Sequence, residues 1–254
     1  MSAAIEFRDL SIITPDGRRI LDSISLKIEE STVTAVLGRS GSGKTTLLRT
    51  VNRMVEASRG EVLVHGKSVR LRDLVELRRG MGYVIQETGL FPHFTVERNV
   101  ALVLEAMGRN PSDRRLRAKE LLADVGLAHE TYGQRYPHQL SGGQRQRVGV
   151  ARALAAGPPI LLMDEPFGAL DPLTRAEMQD MLRALLGRLK KTVLLVTHDL
   201  DEALYLADRI VLVSDGRVVS DGSPNEFLRM QQADAAAYRE AFHRGERSTK
   251  REQR

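Results

Sequence analysis

Short apolar, β-branched runs alternate along this chain with stretches of helical periodicity, the pattern of a parallel sheet covered by helices. Residues 32–37, 81–86, 160–164, 192–197 and 210–214 read as buried strands. Residues 11–28 alternate more loosely and read as an antiparallel pair turning at Pro15-Asp16-Gly17. Residues 44–54 carry a helical pattern directly after the glycine that ends the strand 32–37. Residues 95–156 hold no good strand and many helix formers, as at 101–107 and 114–125. That stretch predicts a helical subdomain inserted into the sheet domain, ending in a helix that Ser141 opens as N-cap. An alanine-rich segment, 233–241, predicts a terminal helix. The expected architecture is α/β: one domain over 1–230 with the helical insertion at about 90–156, then a terminal helix and tail over 231–254.

The strongest chemical motif follows the first buried strand. Gly38-Arg39-Ser40-Gly41-Ser42-Gly43-Lys44-Thr45, with Thr46 beside it, has the spacing of a phosphate-binding loop placed between a strand and a helix. Glycines let the backbone curl so that successive N–H groups face phosphate oxygens, and the helix starting near Lys44 adds its positive dipole end. Lys44 is expected to reach the β- and γ-phosphates of a nucleotide, and the Thr45 hydroxyl to ligate magnesium. The strand 160–164 delivers a second pair of groups, Asp164 and Glu165, at its C-terminal end, where open α/β sheets bind ligands. Neighbouring strand residues point to opposite sides, so the acids can divide the work. Asp164 suits magnesium and Glu165 suits polarising an attacking water.

Composition bounds the remaining possibilities. The chain has 254 residues, 42% hydrophobic and 28% charged, which is ordinary for a globular protein. It has no cysteine, which excludes disulfides and thiolate metal sites and fits a reducing compartment. No apolar run approaches the roughly 18 residues of a membrane span, and the first nine residues lack the layout of a signal peptide. The expected location is the cytosol, with membrane contact made through a partner. The net charge is +5, and part of it sits in residues 238–254. There Arg239, Arg244, Arg247, Lys250, Arg251 and Arg254 outnumber Glu240, Glu246 and Glu252. Such a tail can touch nucleic acid or anionic lipid, but its simplest account is a solvated, frayed end.

Leu140-Ser141-Gly142-Gly143-Gln144, taken with the phosphate loop, Asp164-Glu165 and His198, resembles the ATPase subunits of ABC transporters over about residues 5–229. The resemblance implies a P-loop NTPase fold with a RecA-like core, an N-terminal antiparallel β subdomain and an inserted α-helical subdomain. It implies a homodimer that closes around ATP, each copy presenting Ser141, Gly142, Gly143 and Gln144 to the nucleotide held by the other, with Ser141 and Gly143 contacting its γ-phosphate. It gives Gln86 a part in sensing magnesium and the γ-phosphate, Asp171 a place on the dimer seam, and His198 the role of steadying the γ-phosphate and Glu165. Asp171 beside Pro172 also reads as an ordinary acidic N-cap. One departure stands out: Thr14, flanked by Ile13, occupies the position where many members stack adenine on an aromatic ring. Apolar contact from Ile13 or Ile20 then replaces stacking, and phosphate contacts dominate binding.

Gly82-Tyr83-Val84-Ile85-Gln86 and Gly89-Leu90-Phe91-Pro92-His93 are similar to importers of quaternary amines such as glycine betaine and choline. This implies permease subunits as membrane partners, an indirect link to a substrate-binding protein, a place on the cytoplasmic face of the membrane, and no nucleic acid. Phe91, Pro92 and Phe94 would floor the groove that receives a permease helix. Residue 254 comes too early for the regulatory domain that some members carry. An importer of another small solute is the alternative. A DNA-associated ABC ATPase is disfavoured, because no sustained heptads lie between Thr45 and Leu140.

Overall fold

The computed structural model describes the backbone of residues 3–86 and 88–252 and the side chains of 3–86 and 88–242. It divides into two compact units, one formed by Met1–Arg72 with Leu194–Arg254 and the other by Asp73–Val193.

The first unit begins with strands β1 (Ala3–Ile13) and β2 (Arg19–Glu29), joined by the turn at Pro15-Asp16-Gly17. They pair antiparallel, and β1 also pairs antiparallel with β4 (Arg59–Val64), which folds back on the short β5 (Lys67–Ser68). Between them run β3 (Val33–Leu37) and helix α1 (Lys44–Val51). The unit lies in two stretches of sequence, so β3 finds its parallel partner far along the chain, in β9 (Arg209–Ser214), with Thr34 opposite Arg209 and Leu37 opposite Leu212.

The second unit opens with α2 (Leu74–Arg79) and β6 (Met81–Val84). A helical block follows: α3 (Val96–Ala106), α4 (Pro111–Asp124), α5 (His129–Tyr132) and α6 (Gly142–Leu154). Strand β7 (Ile160–Asp164) pairs parallel with β6, and α7 (Pro172–Leu189) comes next. Val96, Val100, Leu104, Leu121, Leu122, Val148 and Ala151 bury one stripe of each helix in the block's core. Gly82 lets the backbones of β6 and α6 approach, since a Cβ there would stand 2.4 Å from the carbonyl oxygen of Ala153. Strand β8 (Thr192–Val196), buried at every position, contains the division between the units.

The chain re-enters the first unit with α8 (Leu200–Leu206), β9, β10 (Arg217–Gly222), α9 (Pro224–Arg229) and α10 (Ala233–Glu252). Ala35, Leu37, Leu200, Ala203, Ile210, Leu212, Phe227 and Ala235 form one buried cluster, and Tyr238 and Phe242 pack against it. For residues 238–242 this corrects the expectation of a solvated tail. Positions 235, 238 and 242 fall on one face of α10, and that face is apolar enough to dock. Arg239 adds hydrogen bonds to the carbonyls of Phe227 (2.7 Å) and Met230 (2.6 Å). The side chains of the remaining basic residues, Arg244, Arg247, Lys250, Arg251 and Arg254, lie outside the described residues.

Arg217 at the start of β10 donates from Nε to Asp22 Oδ2 of β2 at 3.0 Å, and Arg19 donates to Asp22 Oδ1 at 3.1 Å. These guanidinium hydrogen bonds, Arg217 first, hold the Asp22 carboxyl below its ordinary value of 3.8. A depressed folded pKa gives stability that is complete above the ordinary value and is lost as pH falls through the folded one. We therefore expect Asp22→Asn to lower the melting temperature at pH 7. The two proteins should converge as the buffer is taken below the ordinary aspartate range. A thermal melt series from pH 7 down to acid checks both.

Candidate functional site

In the first unit the loop after β3 is shaped by three residues in the left-handed half of backbone space: Gly38 (φ 155°), Gly41 (φ 79°) and Gly43 (φ 100°). At Gly38 a Cβ would stand 2.3 Å from the carbonyl oxygen of Val213, and at Gly43 2.8 Å from that of Ile20. The loop is thus pressed between the start of β2 and the end of β9, with Gly216 N donating to Ser42 O at 3.2 Å. Lys44 is 4% exposed, and its Nζ donates to the carbonyls of Gly38 (2.8 Å) and Arg39 (2.9 Å). Helix α1 starts there with Gly43 as N-cap and no side-chain cap hydrogen bond, so the positive end of its dipole stands at the loop. Ser42 Oγ is buried and has no hydrogen-bond partner. An orphaned hydroxyl, a curled backbone and an uncapped helix N-terminus together suit a phosphate chain. Thr45 and Thr46 stand in the first turn of α1, half-buried.

Ile20 lies against this loop, its Cγ2 3.7 Å from the place a Cβ on Gly43 would take. Thr14 is committed to the β1–β2 turn, its hydroxyl donating to Arg18 O at 3.0 Å. Arg39–Ser42, Leu212–Asp215 and Asp234, Ala237 and Tyr238 of α10 enclose a cavity of about 330 Å³. His198 stands after β8 in the same unit. Its neighbours are tightly held: Thr197 Oγ1 meets Glu202 Oε2 at 2.5 Å, Thr197 Oγ1 accepts from Asp199 N at 3.0 Å, and the Asp199 carboxylate caps α8.

The second unit holds the other predicted residues. Strand β7 ends in Asp164, 6% exposed. The next residue, Glu165, has φ 46°, a conformation that costs a non-glycine residue and is often kept where a side chain must be aimed. Gly168 lies between two of the predicted side chains. A Cβ on it would stand 3.1 Å from Gln86 Nε2 and 3.7 Å from Glu165 Oε2. The fold thus brings Gln86 and Glu165 to one place. Asp171 caps α7 by accepting from Thr174 N at 3.1 Å, with Pro172 in the first turn, as its N-cap reading expects. A hydrogen bond from the Thr174 side chain, with that backbone bond second, holds its carboxyl below the usual range.

Ser141 caps α6 through a reciprocal pair: Ser141 Oγ accepts from Gln144 N (3.2 Å), and Gln144 Oε1 accepts from Ser141 N (3.0 Å). The two glycines between them differ. A Cβ on Gly143 would meet Thr174 Cγ2 at 2.3 Å, so packing of α6 on α7 already requires glycine there. A Cβ on Gly142 would meet nothing closer than Leu170 Cδ2 at 3.9 Å, an ordinary contact. Among the described residues no neighbour demands that Gly142 lack a side chain, whereas close approach by a ligand would.

Three residues escaped the sequence reading. Tyr83 Oη lies 3.3 Å from Asp164 Oδ2. Asn99, fully buried, accepts from Phe91 N and donates to the carbonyls of Phe91, Phe94 and Thr95. Arg152 donates to the carbonyls of Thr88 and Gly89, and burial pushes its pKa down. Together Asn99 and Arg152 shape the segment after Gln86. Phe91 of that segment, with Tyr83, Leu102 and Val103, lines a cavity of about 310 Å³. Phe94 lies instead beneath the Arg98 guanidinium, 3.9 Å from the ring centroid.

A sequence profile of the ABC transporter family matches residues 21–168. The chain belongs to this family. It is 47% identical over 225 residues to the glycine betaine/carnitine/choline transport ATP-binding protein OpuCA of Bacillus subtilis, covering 89% of this chain and 59% of that one. It is 46% identical to the glycine betaine uptake system ATP-binding protein YehX of Escherichia coli, covering 89% and 75%. This ABC chain thus spans little more than half the length of several curated relatives it matches. Among solved structures it resembles CbiO1 of Clostridium perfringens, part of an ABC transporter complex, with a TM-score of 0.83 and 29% identity over 91% of this chain and 93% of that one. It also resembles a dimeric ATP-binding cassette, MJ0796, in a post-hydrolysis state with ADP and Pi, with a TM-score of 0.76 and 33% identity over 87% and 98%. The expected α/β ABC cassette fold is the fold observed.

The contrast between the glycines of the signature yields a prediction. Gly142→Ala should keep or raise the melting temperature while lowering ATP hydrolysis, because the added methyl meets only an incoming ligand. Gly143→Ala should cost about 1–3 kcal/mol of stability through overpacking on Thr174. Thermal melts and a phosphate-release assay on both variants separate the two roles.

Proposed function

We propose that this chain is the ATP-binding and hydrolysing subunit of a bacterial ABC importer for a quaternary amine such as glycine betaine or choline. The observation that carries this reading is the 47% identity to OpuCA along 89% of the chain, with the phosphate loop, Asp164, Glu165 and the Ser141–Gln144 signature all intact. YehX, a glycine betaine uptake protein of which the chain covers three quarters, supports the same reading. The cassette is peripheral to the cytoplasmic face of the membrane and works as a homodimer on two permease subunits, with a substrate-binding protein as an indirect partner. Among the described residues no helix is long and apolar enough to cross a membrane, and in this reading the permease supplies the permeation path. The ATPase domain extends over about 1–230, with its helical part near 90–156.

The chemistry follows from the two sets of groups. The amides of the loop 38–43 and the first turn of α1 grip the phosphates, and Lys44 exchanges its carbonyl partners for β- and γ-phosphate oxygens. Thr45, Gln86 and Asp164 would hold magnesium, whose charge neutralises the β- and γ-oxygens. Ser141, Gly142, Gly143 and Gln144 of a second copy complete the donor shell around the γ-phosphate, and Asp171 lies along that seam. Glu165, aimed by its left-handed backbone, accepts a proton from the attacking water. His198 donates to the γ-phosphate as charge accumulates there. With Thr14 held in its turn, adenine rests on apolar contact such as Ile20 offers, and the phosphates supply most of the affinity.

Glu165→Gln tests the core of this reading. The carboxylate cannot act as base when it is an amide of the same shape, so ATP binding should persist and hydrolysis should fall by about a hundredfold or more. The variant should accumulate as a dimer in the presence of ATP, seen by light scattering. Wild-type turnover in the variant would remove Glu165 from the role of base. The cargo is tested separately, by copurifying the permease and measuring uptake of glycine betaine, choline, carnitine and unrelated solutes.

A further inference from the structure

The C-terminal helix reaches the switch loop. Tyr238 of α10 donates its phenolic proton to the backbone carbonyl of His198 at 2.7 Å. The two residues are forty positions apart. Other bonds around this loop come from residues near in sequence or from the sheet. Thr197 N donates to Val36 O at 3.2 Å, Thr197 Oγ1 meets Glu202, and Asp199 caps the helix that follows it. These fix the residues on either side of His198. The bond from Tyr238 fixes the peptide of His198 itself, and with it the direction in which the imidazole leaves the backbone.

Helix α10 is held firmly enough to do this. Ala235 is fully buried in the cluster made by Leu200, Ala203 and Leu212, and Phe242 packs on the same cluster one turn beyond Tyr238. Arg239 ties the helix to the last carbonyls of α9. Asp234, Ala237 and Tyr238 also wall the cavity that Arg39, Ser40, Gly41 and Ser42 close from the other side. One face of α10 therefore stands both against the phosphate loop's own cavity and on the carbonyl of His198.

We propose that Tyr238 is a positioning residue for His198, through which α10 bears on ATP turnover. The inference rests on the role given to His198 above. A switch histidine acts only when the γ-phosphate is in place, so a looser peptide at His198 leaves nucleotide binding untouched and lowers the fraction of molecules poised to react.

Tyr238→Phe is the test, because it removes one hydroxyl and keeps the ring that packs on the core. With the full chain in complex with its permease, kcat for ATP should fall about fivefold, the population shift expected for one ordinary hydrogen bond. KM for ATP should stay at its wild-type value, and the melting temperature should fall by no more than the loss of one hydrogen bond explains, a split that a packing role alone would not give. An unchanged kcat overturns the inference, as does a kcat loss matched by a rise in KM. His198→Ala is measured beside it. Full turnover in that variant would show that the reading of His198 is wrong. Abolished turnover there, with Tyr238→Phe at the wild-type rate, would leave that reading standing and sink the role of Tyr238 alone.

Discussion

A lysine ammonium held at 4% exposure is the constraint on which the nucleotide-binding unit turns. Taking such a charge out of water is unfavourable unless oxygen atoms surround it. Here the loop wraps back so that the carbonyls of Gly38 and Arg39 meet Nζ. That wrap requires backbone angles open mainly to glycine at positions 38, 41 and 43, and it requires β2 and β9 to come within contact of the loop. The register of β9 on β3, and the hydrogen bond from Asp22 N to Gly216 O that ties β2 to the β9–β10 turn, are what let Val213 and Ile20 come that close. The same curl that solvates the lysine aims backbone N–H groups outward, so the loop's stability and its affinity for phosphate have one origin.

The second unit solves a different problem, that of placing carboxylates at the end of a fully buried strand. β7 is apolar until Asp164, and the chain then takes a left-handed step at Glu165 that turns it away from the strand direction. Gly168 keeps the following turn small enough for the amide of Gln86 to lie close by. In the helical block, Ser141 and Gln144 satisfy each other at the head of α6, and the bare Gly142 lies between them.

Much of this was legible in the residues alone. The buried strands β3, β7, β8 and β9 were found within a residue or so, because a run buried on both faces is apolar at every position and ends sharply in a polar group. The cap at Ser141 and the turn at Pro15-Asp16-Gly17 were equally plain, being local. β4, β5, β10 and α2 went unread, since their short mixed patterns acquire meaning only from partners elsewhere. The start of the tail, residues 238–242, was misread for the same reason. Ala235, Tyr238 and Phe242 look like scattered residues of a charged helix until a core is present for them to dock on. Tyr83 beside Asp164 and Asn99 within the segment after Gln86 depend on tertiary placement and leave no trace in spacing.

Asn99 also shows how narrow a tolerance this architecture leaves. A single side chain, wholly enclosed, answers one amide proton and three carbonyl oxygens at once. Its two ends are chemically opposite, one giving and one receiving. Aspartate has nearly the same shape but only receives, so exchanging one nitrogen for oxygen would set a negative charge against three backbone oxygens. The course of the chain from Phe91 to Thr95, and so the wall that Phe91 presents to its cavity, hangs on which corner of one small fork carries hydrogen.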